Sequence, residues 1–144
     1  MKEYSSDKLR FEGEYFEEQR NGKGKEYDDN GELKFEGEYL NGKRWNGKGK
    51  EYYEYRHYLK FEGEYLNGQR WNGKFKNNVE FLIYEGEFLD GKRNGNGKEY
   101  NDKGKLIYEG EYLNGKRNGK GKQYYNDGIL KFEGEYLNGK KKEN

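Results

Sequence analysis

The chain has no cysteine, no proline, one histidine and one methionine among its 144 residues. Without cysteine there is neither a disulfide framework nor a thiolate metal site, and His57 alone finds no companion for a metal cluster or for catalysis. Long apolar runs are missing as well: the segment Met1 to Asp7 has no apolar signal core, and no stretch approaches the roughly 20 residues of a membrane span. The expectation is a soluble, cytoplasmic chain with no cofactor. Charge of one sign is also lacking, since 29 Lys and Arg against 28 Asp and Glu leave a net +1. No global field attracts nucleic acid, which is not expected as a partner on these grounds. Leu, Ile, Val and Phe together number 23, too few for an ordinary layered core.

What replaces the aliphatics is aromatic: 16 Tyr, 8 Phe and 2 Trp, each able to bury roughly 150 to 250 Å² while a tyrosine keeps its hydroxyl wet. They fall in a pattern. An aromatic-Glu-Gly-Glu-aromatic core occurs at Phe11 to Tyr15, Phe35 to Tyr39, Phe61 to Tyr65, Tyr84 to Phe88, Tyr108 to Tyr112 and Phe132 to Tyr136. The central glycines are spaced 24, 26, 23, 24 and 24 residues apart, a period that marks one small unit stacked on copies of itself. The chain reads as a single array over 1–144, with units beginning near 11, 35, 61, 84, 108 and 132 and the last incomplete.

Each unit holds two stretches of period-two alternation, in the fifth Tyr108 to Leu113 and Gly119 to Tyr124, which read as strands. The five residues Asn114 to Asn118 between them supply the Asn-Gly chemistry that closes a hairpin. Asp28-Asp29-Asn30-Gly31, Asn101-Asp102-Lys103-Gly104 and Asn126-Asp127-Gly128 turn one unit into the next. The expected fold is therefore all-β, an elongated single-layer antiparallel meander of stacked β-hairpins with about a dozen short strands. Alternation puts Tyr108, Gly110 and Tyr112 on one face with Gly119 and Gly121 across from them, so that rings lie over bare backbone. On the other face Glu109 and Glu111 meet Lys120 and Lys122 in exposed pairs worth about 0.2 to 1 kcal/mol each. Their larger effect is to set register. After Lys131 to Leu137 the return strand is missing, which leaves an open edge guarded by lysines.

The aromatic-x-Gly opening, the Gly five residues later and the Gly-x-Gly after the turn, as in Tyr108, Gly110, Gly115, Gly119 and Gly121, closely resemble the MORN (membrane occupation and recognition nexus) repeat. Tyr84 to Tyr100 and Tyr108 to Tyr124 match each other in spacing, and the resemblance covers nearly the whole chain. It implies a twisted single-layer sheet of hairpins with an aromatic-lined groove. It further implies a non-enzymatic scaffold that binds a partner helix or extended peptide, self-associates, and supports cytoskeletal or membrane-proximal assemblies. Lipid kinase and protein methyltransferase domains accompany some members of that family; neither is in this sequence.

Two adjacent copies break the spacing. Lys43-Arg44-Trp45-Asn46 and Gln69-Arg70-Trp71-Asn72 are each one residue longer than Lys116-Arg117-Asn118, and both extra residues are tryptophan. Phe75 stands where the second glycine of Gly-x-Gly is expected, and the connection Asn77 to Ile83 is two residues short. The tryptophans either stack on each other and cap the aromatic row, or form a recognition patch. The segment Tyr52 to Tyr58 reads as a longer inter-unit turn, with a ligand-stacking loop as the alternative. The candidate partner-binding residues are Tyr39, Trp45, Tyr65, Trp71 and Phe75. Lys43, Arg44, Lys92, Arg93, Lys116 and Arg117 are candidates for an edge that contacts an anionic membrane weakly. Glycine stretches such as Asn94 to Lys98 lack the rest of a phosphate-loop signature. Recurrent glutamates opposite lysines read as a solvated face rather than a hydrolytic pair. Two readings stand behind the protein scaffold: a peripheral module binding anionic lipid headgroups through its hairpin turns, and a repeat protein of the toxin-immunity type.

Overall fold

A computed structural model of the chain describes residues 1–54, 58–77 and 82–142. Every described element is a strand, each running antiparallel to its sequence neighbours. The chain divides into two compact units. The first, Met1–Arg70, holds β1 (Lys2–Ser5), β2 (Lys8–Phe16), β3 (Gln19–Tyr27), β4 (Leu33–Leu40), β5 (Lys43–Tyr52), β6 (Leu59–Leu66) and the start of β7 (Gln69–Asn77). The second, Trp71–Asn144, holds the rest of β7, β8 (Leu82–Leu89), β9 (Lys92–Tyr100), β10 (Leu106–Leu113), β11 (Lys116–Tyr124), β12 (Leu130–Leu137) and β13 (Lys140–Lys141). The fold is the expected all-β meander of stacked hairpins.

Three details differ from the expectation. The hairpin turn is two residues long rather than five: Leu113 pairs with Lys116, and Asn114 and Gly115 alone turn the chain at φ 51° and 85°. Positive φ at both positions is what a type I′ turn requires. At the start, Lys2–Ser5 pairs with β2 as a strand. At the end the return strand is present as a two-residue stub, Leu137 facing Lys140. His57, with Tyr55 and Arg56, and residues 78–81 of the short connection lie outside the described residues.

Glycines form columns across the strands. In the second unit Gly73, Gly86, Gly97, Gly110, Gly121 and Gly134 face one another in succession from β7 to β12. Gly24 shows why no side chain fits in such a column: a Cβ there would sit 2.6 Å from the ring of Phe11. The rings are packed directly onto backbone. Phe11, Phe35 and Phe61 in the first unit, and Tyr84 and Tyr108 in the second, are fully or almost fully buried. Each also meets second rings edge-on. Phe11 contacts Tyr15 and Tyr39, and Phe35 contacts Tyr39 and Tyr65, at centroid separations of 5.1 to 5.7 Å. Tyr84 and Tyr108 repeat the zigzag with Phe88, Tyr112 and Tyr136. Edge-to-face geometry suits the ring quadrupole and adds about 0.5 to 1.5 kcal/mol per pair beyond area burial.

Candidate interaction surface

A single layer of strands buries its rings completely because arginines close over them. Arg20 lies 4.2 Å from the Phe11 ring centroid, Arg44 4.8 Å from Phe35 and Arg70 5.0 Å from Phe61 in the first unit. Arg117 lies 4.2 Å above Tyr108 in the second. Each guanidinium is held by a glutamate of the preceding strand pair. Arg44 donates to both oxygens of Glu26 at 3.0 and 2.9 Å, Arg70 to both of Glu51 at 2.7 Å, and Arg117 Nε to Glu99 at 2.7 Å. The same carboxylates accept from tyrosines: Tyr39 Oη donates to Glu26 at 2.5 Å, Tyr65 to Glu51 at 2.8 Å and Tyr112 to Glu99 at 2.5 Å. Glu3 serves Arg20 and Tyr15 in the same manner. Planar bidentate pairing of this kind suits arginine and not lysine.

Burial and pairing leave a titration signature on these groups. Burial opposes ionisation of Glu26, yet the hydrogen bonds and charge of Arg44, followed by Tyr39, outweigh it and hold the carboxyl below its usual range. Glu51 follows the same course through Arg70 and Tyr65. Tyr39 and Tyr65 are pushed up by burial and then by donating to those carboxylates. Burial raises Tyr108 to about 12.

The sequence carries a signal for this staple that its alternation and turns do not reveal. Lys-Glu-Tyr stands at 2–4, 25–27, 50–52 and 98–100, with Lys-Gln-Tyr at 122–124. Its middle residue is the arginine's partner. Of the six cations assigned to a turn edge, Lys43, Lys92 and Lys116 are exposed there. Arg44, Arg93 and Arg117 instead turn onto the rings.

The ring face is accordingly a closed row rather than an open aromatic groove. Tyr39 and Tyr65, expected in the contact patch, are buried at 3% and 8% exposure. Both rings are fully engaged in packing and in the staple. Trp45 lies over the next hairpin turn, where a Cβ on Gly68 would come 3.1 Å from its ring. Trp71 is 39% exposed, and Phe75 is half-buried opposite Tyr84. Two concavities lie on the opposite, charged face. A trough of about 840 Å³ in the second unit has Gly86, Gly97, Gly110 and Gly121 as its floor and glutamates and lysines as its walls. One of about 710 Å³ in the first is floored by Gly13, Gly24 and Gly37. Across this face Lys25 and Glu36 stand 3.8 Å apart, Lys50 and Glu62 4.0 Å, and Lys122 and Glu133 3.9 Å, as the alternation predicts.

The tryptophan insertion also changes the strand register. In regular copies Gly110 faces Gly121 and Glu111 spans a wide bulge, accepting from the Lys120 amide at 2.5 Å. In the second copy Gly37 faces Gly47, two positions earlier in the motif, and Glu38 accepts from the Asn46 side chain at 3.3 Å. The extra residue narrows the bulge.

Among the described residues no group of three or more His, Cys, Asp or Glu is arranged to hold a metal ion. A family model described as MORN repeat matches residues 35–54, 84–105 and 108–129, and one described as MORN repeat variant matches 20–41. Together they cover more than half of the chain. No curated protein matches it.

Proposed function

Because the chain belongs to the MORN repeat family, we propose that it is a non-enzymatic scaffold whose irregular strands, β5 and β7, bind a partner protein. The observation that carries this reading is Trp71. An indole is inserted there where regular copies have no residue, and 39% of it is exposed. Large exposed aromatics of this kind anchor protein interfaces. Phe75 stands half-buried on the same strand; Trp45 supports a contact on the first unit. The carboxylates and tyrosines of the ring face are taken up by the staple, which leaves recognition to surface shape and charge. Affinity capture with mass spectrometry identifies the partner, and titration calorimetry then compares Trp45→Ala, Trp71→Ala and Phe75→Ala. Trp71→Ala weakens binding at least tenfold. Binding indifferent to all three substitutions refutes the reading.

A second reading has an observation of its own. In the second unit Leu89, Leu113 and Leu137 are each at least half exposed, and each pairs with an exposed lysine, Lys92, Lys116 or Lys140. Leucines that insert beside lysines that meet phosphates suit an anionic membrane surface. Cosedimentation with vesicles containing phosphatidylserine should fall on Leu113→Ser and Lys116→Glu. Binding that is absent, or indifferent to salt, removes this alternative.

A further inference from the structure

On the strand before it, the first ring of five copies faces a polar acceptor: Glu3 faces Phe11, Glu26 faces Phe35, Glu51 faces Phe61, Glu99 faces Tyr108 and Gln123 faces Phe132. On the strand before it Tyr84 faces Phe75 instead, while Glu99 faces it from the strand after. The sequence puts Phe75 in the place of a motif glycine, but the register between β7 and β8 is displaced so that Gly73 faces Gly86. Phe75 therefore takes the glutamate's position. The second ring changes with it, since Phe88 has no hydroxyl where Tyr15, Tyr39, Tyr65, Tyr112 and Tyr136 have one. One hydrogen-bonded Glu–Tyr pair has become Phe and Phe.

The arginine of that copy, Arg93, has not changed. Arg20, Arg44 and Arg70 each have a glutamate within 2.9 Å. Arg93 and Arg117 share Glu99, at 3.7 and 2.7 Å. Among the described residues Arg93 otherwise meets the Gly115 carbonyl, which accepts at 2.9 Å, and the rings of Tyr84 and Tyr112. Its side chain is 37% exposed, against 17% for Arg44. Among the described residues, the ring face of the second unit thus has two arginines, Arg93 and Arg117, on the one carboxylate of Glu99.

We infer that Arg93 receives a carboxylate from a partner protein, an Asp or Glu flanked by bulky apolar residues in an extended segment, with the apolar neighbour resting on Phe75. This rests on the scaffold reading and names the chemistry of the partner at that surface. The incoming carboxylate does for Arg93 what Glu26 does for Arg44, a charge-assisted pairing in a partly desolvated site. Charge complementarity and the internal precedent of the other copies select the occupant.

The test uses the full chain and a fluorescein-labelled octapeptide alternating Glu and Leu, with the same peptide carrying Gln for Glu. Anisotropy should show the Glu peptide binding at least tenfold more tightly than the Gln peptide. Arg93→Gln removes that preference. The double variant Phe75→Glu, Phe88→Tyr refills the position from within; it weakens the Glu peptide at least tenfold while raising the thermal midpoint, so the loss is not unfolding. Equal binding of the two peptides, no binding of the Glu peptide, or Glu binding unchanged in either variant overturns the inference. A captured partner that loses affinity with Trp71→Ala but not with Arg93→Gln leaves the scaffold standing and removes the carboxylate site alone.

Discussion

The residue that decides most is the buried glutamate of Lys-Glu-Tyr. Glu99 is 5% exposed, and it neutralises Arg117 while accepting from Tyr112. Removing one partner of a buried ion pair strands the other, so Glu99→Ala costs about 3 kcal/mol. Glu133→Ala, on the exposed face, stays within about 0.5 kcal/mol. Urea unfolding of the two variants distinguishes a staple from a solvated pair. The same carboxylates set the pH range. Glu26 and Glu51 are held below the ordinary 4.5, so their contribution is complete above that value and is lost as pH falls through their lower folded values. The tyrosines work in the other direction: raised above 10, they contribute fully below pH 10 and lose it as pH rises toward about 12, where Tyr108 ionises. Circular dichroism against pH should show a plateau from roughly 5 to 10 with a fall on both sides. The hairpin between β2 and β3 offers a gain instead. Glu17 and Glu18 adopt φ 48° and 65°, where other copies have Asn-Gly or Asp-Gly, and left-handed backbone costs such residues about 1 kcal/mol or more each. Glu17→Asn with Glu18→Gly should raise stability by about 1 to 2 kcal/mol in the same assay.

At the scale of strands and turns, glycine has two separate duties, and substitution separates them. Gly42 sits at φ 81°, and a Cβ added there would have nothing within 4 Å, so Gly42→Ala meets only the conformational cost, about 1 kcal/mol. A Cβ on Gly110 would lie 2.5 Å from the Lys120 carbonyl oxygen. That strand pair must splay, and Gly110→Ala should cost about 3 kcal/mol with loss of amide protection in β10 and β11 by hydrogen exchange. The strands and turns were legible because their signals are local: period-two alternation, Asn-Gly at the tips, and Asp28 or Asn101 accepting from two amides between units. The closed ring face was not. Alternation says which face Arg44 and Glu26 share, but their pairing joins residues 18 apart across two turns. A contact of that kind emerges only when the register of successive hairpins is known. The same gap hid Phe75, whose place among the glutamates depends on a displaced register that spacing alone reads as a replaced glycine. Trp71 stood out as an insertion, and exposure then separated it from Tyr39 and Tyr65, which the pattern had grouped with it.

At the scale of the whole molecule, the fifth and sixth copies are each tied by the hairpin turn to the copy before. The Gly115 amide donates to the Arg93 carbonyl at 2.9 Å, and the Gly139 amide to the Arg117 carbonyl at 2.8 Å. Asn138 N donates to Asn118 Oδ1 at 3.1 Å. Phe132 would meet an inserted copy much as Tyr108 now meets its own predecessor, through a ring over glycine and a turn tied to the preceding hairpin, with Lys141 in place of the arginine over the ring. Stability in such an array is close to a sum of copy and neighbour contributions. One substitution complicates that sum: Gln123 replaces the staple glutamate and reaches Tyr136 at 3.4 Å, so a duplicated fifth copy would repeat the weaker joint. Inserting a second copy of residues 108–131 before Phe132 should therefore fold. It should lengthen the array by 24 of 144 residues and raise the denaturant m-value by about one sixth, since m scales with the surface exposed on unfolding. Carrying Gln123→Glu in the inserted copy should raise the urea midpoint above that of the plain insertion, because Tyr136 regains a carboxylate acceptor. An m-value that does not change would mean that the added copy hangs unfolded, and neighbour coupling would then not account for the array.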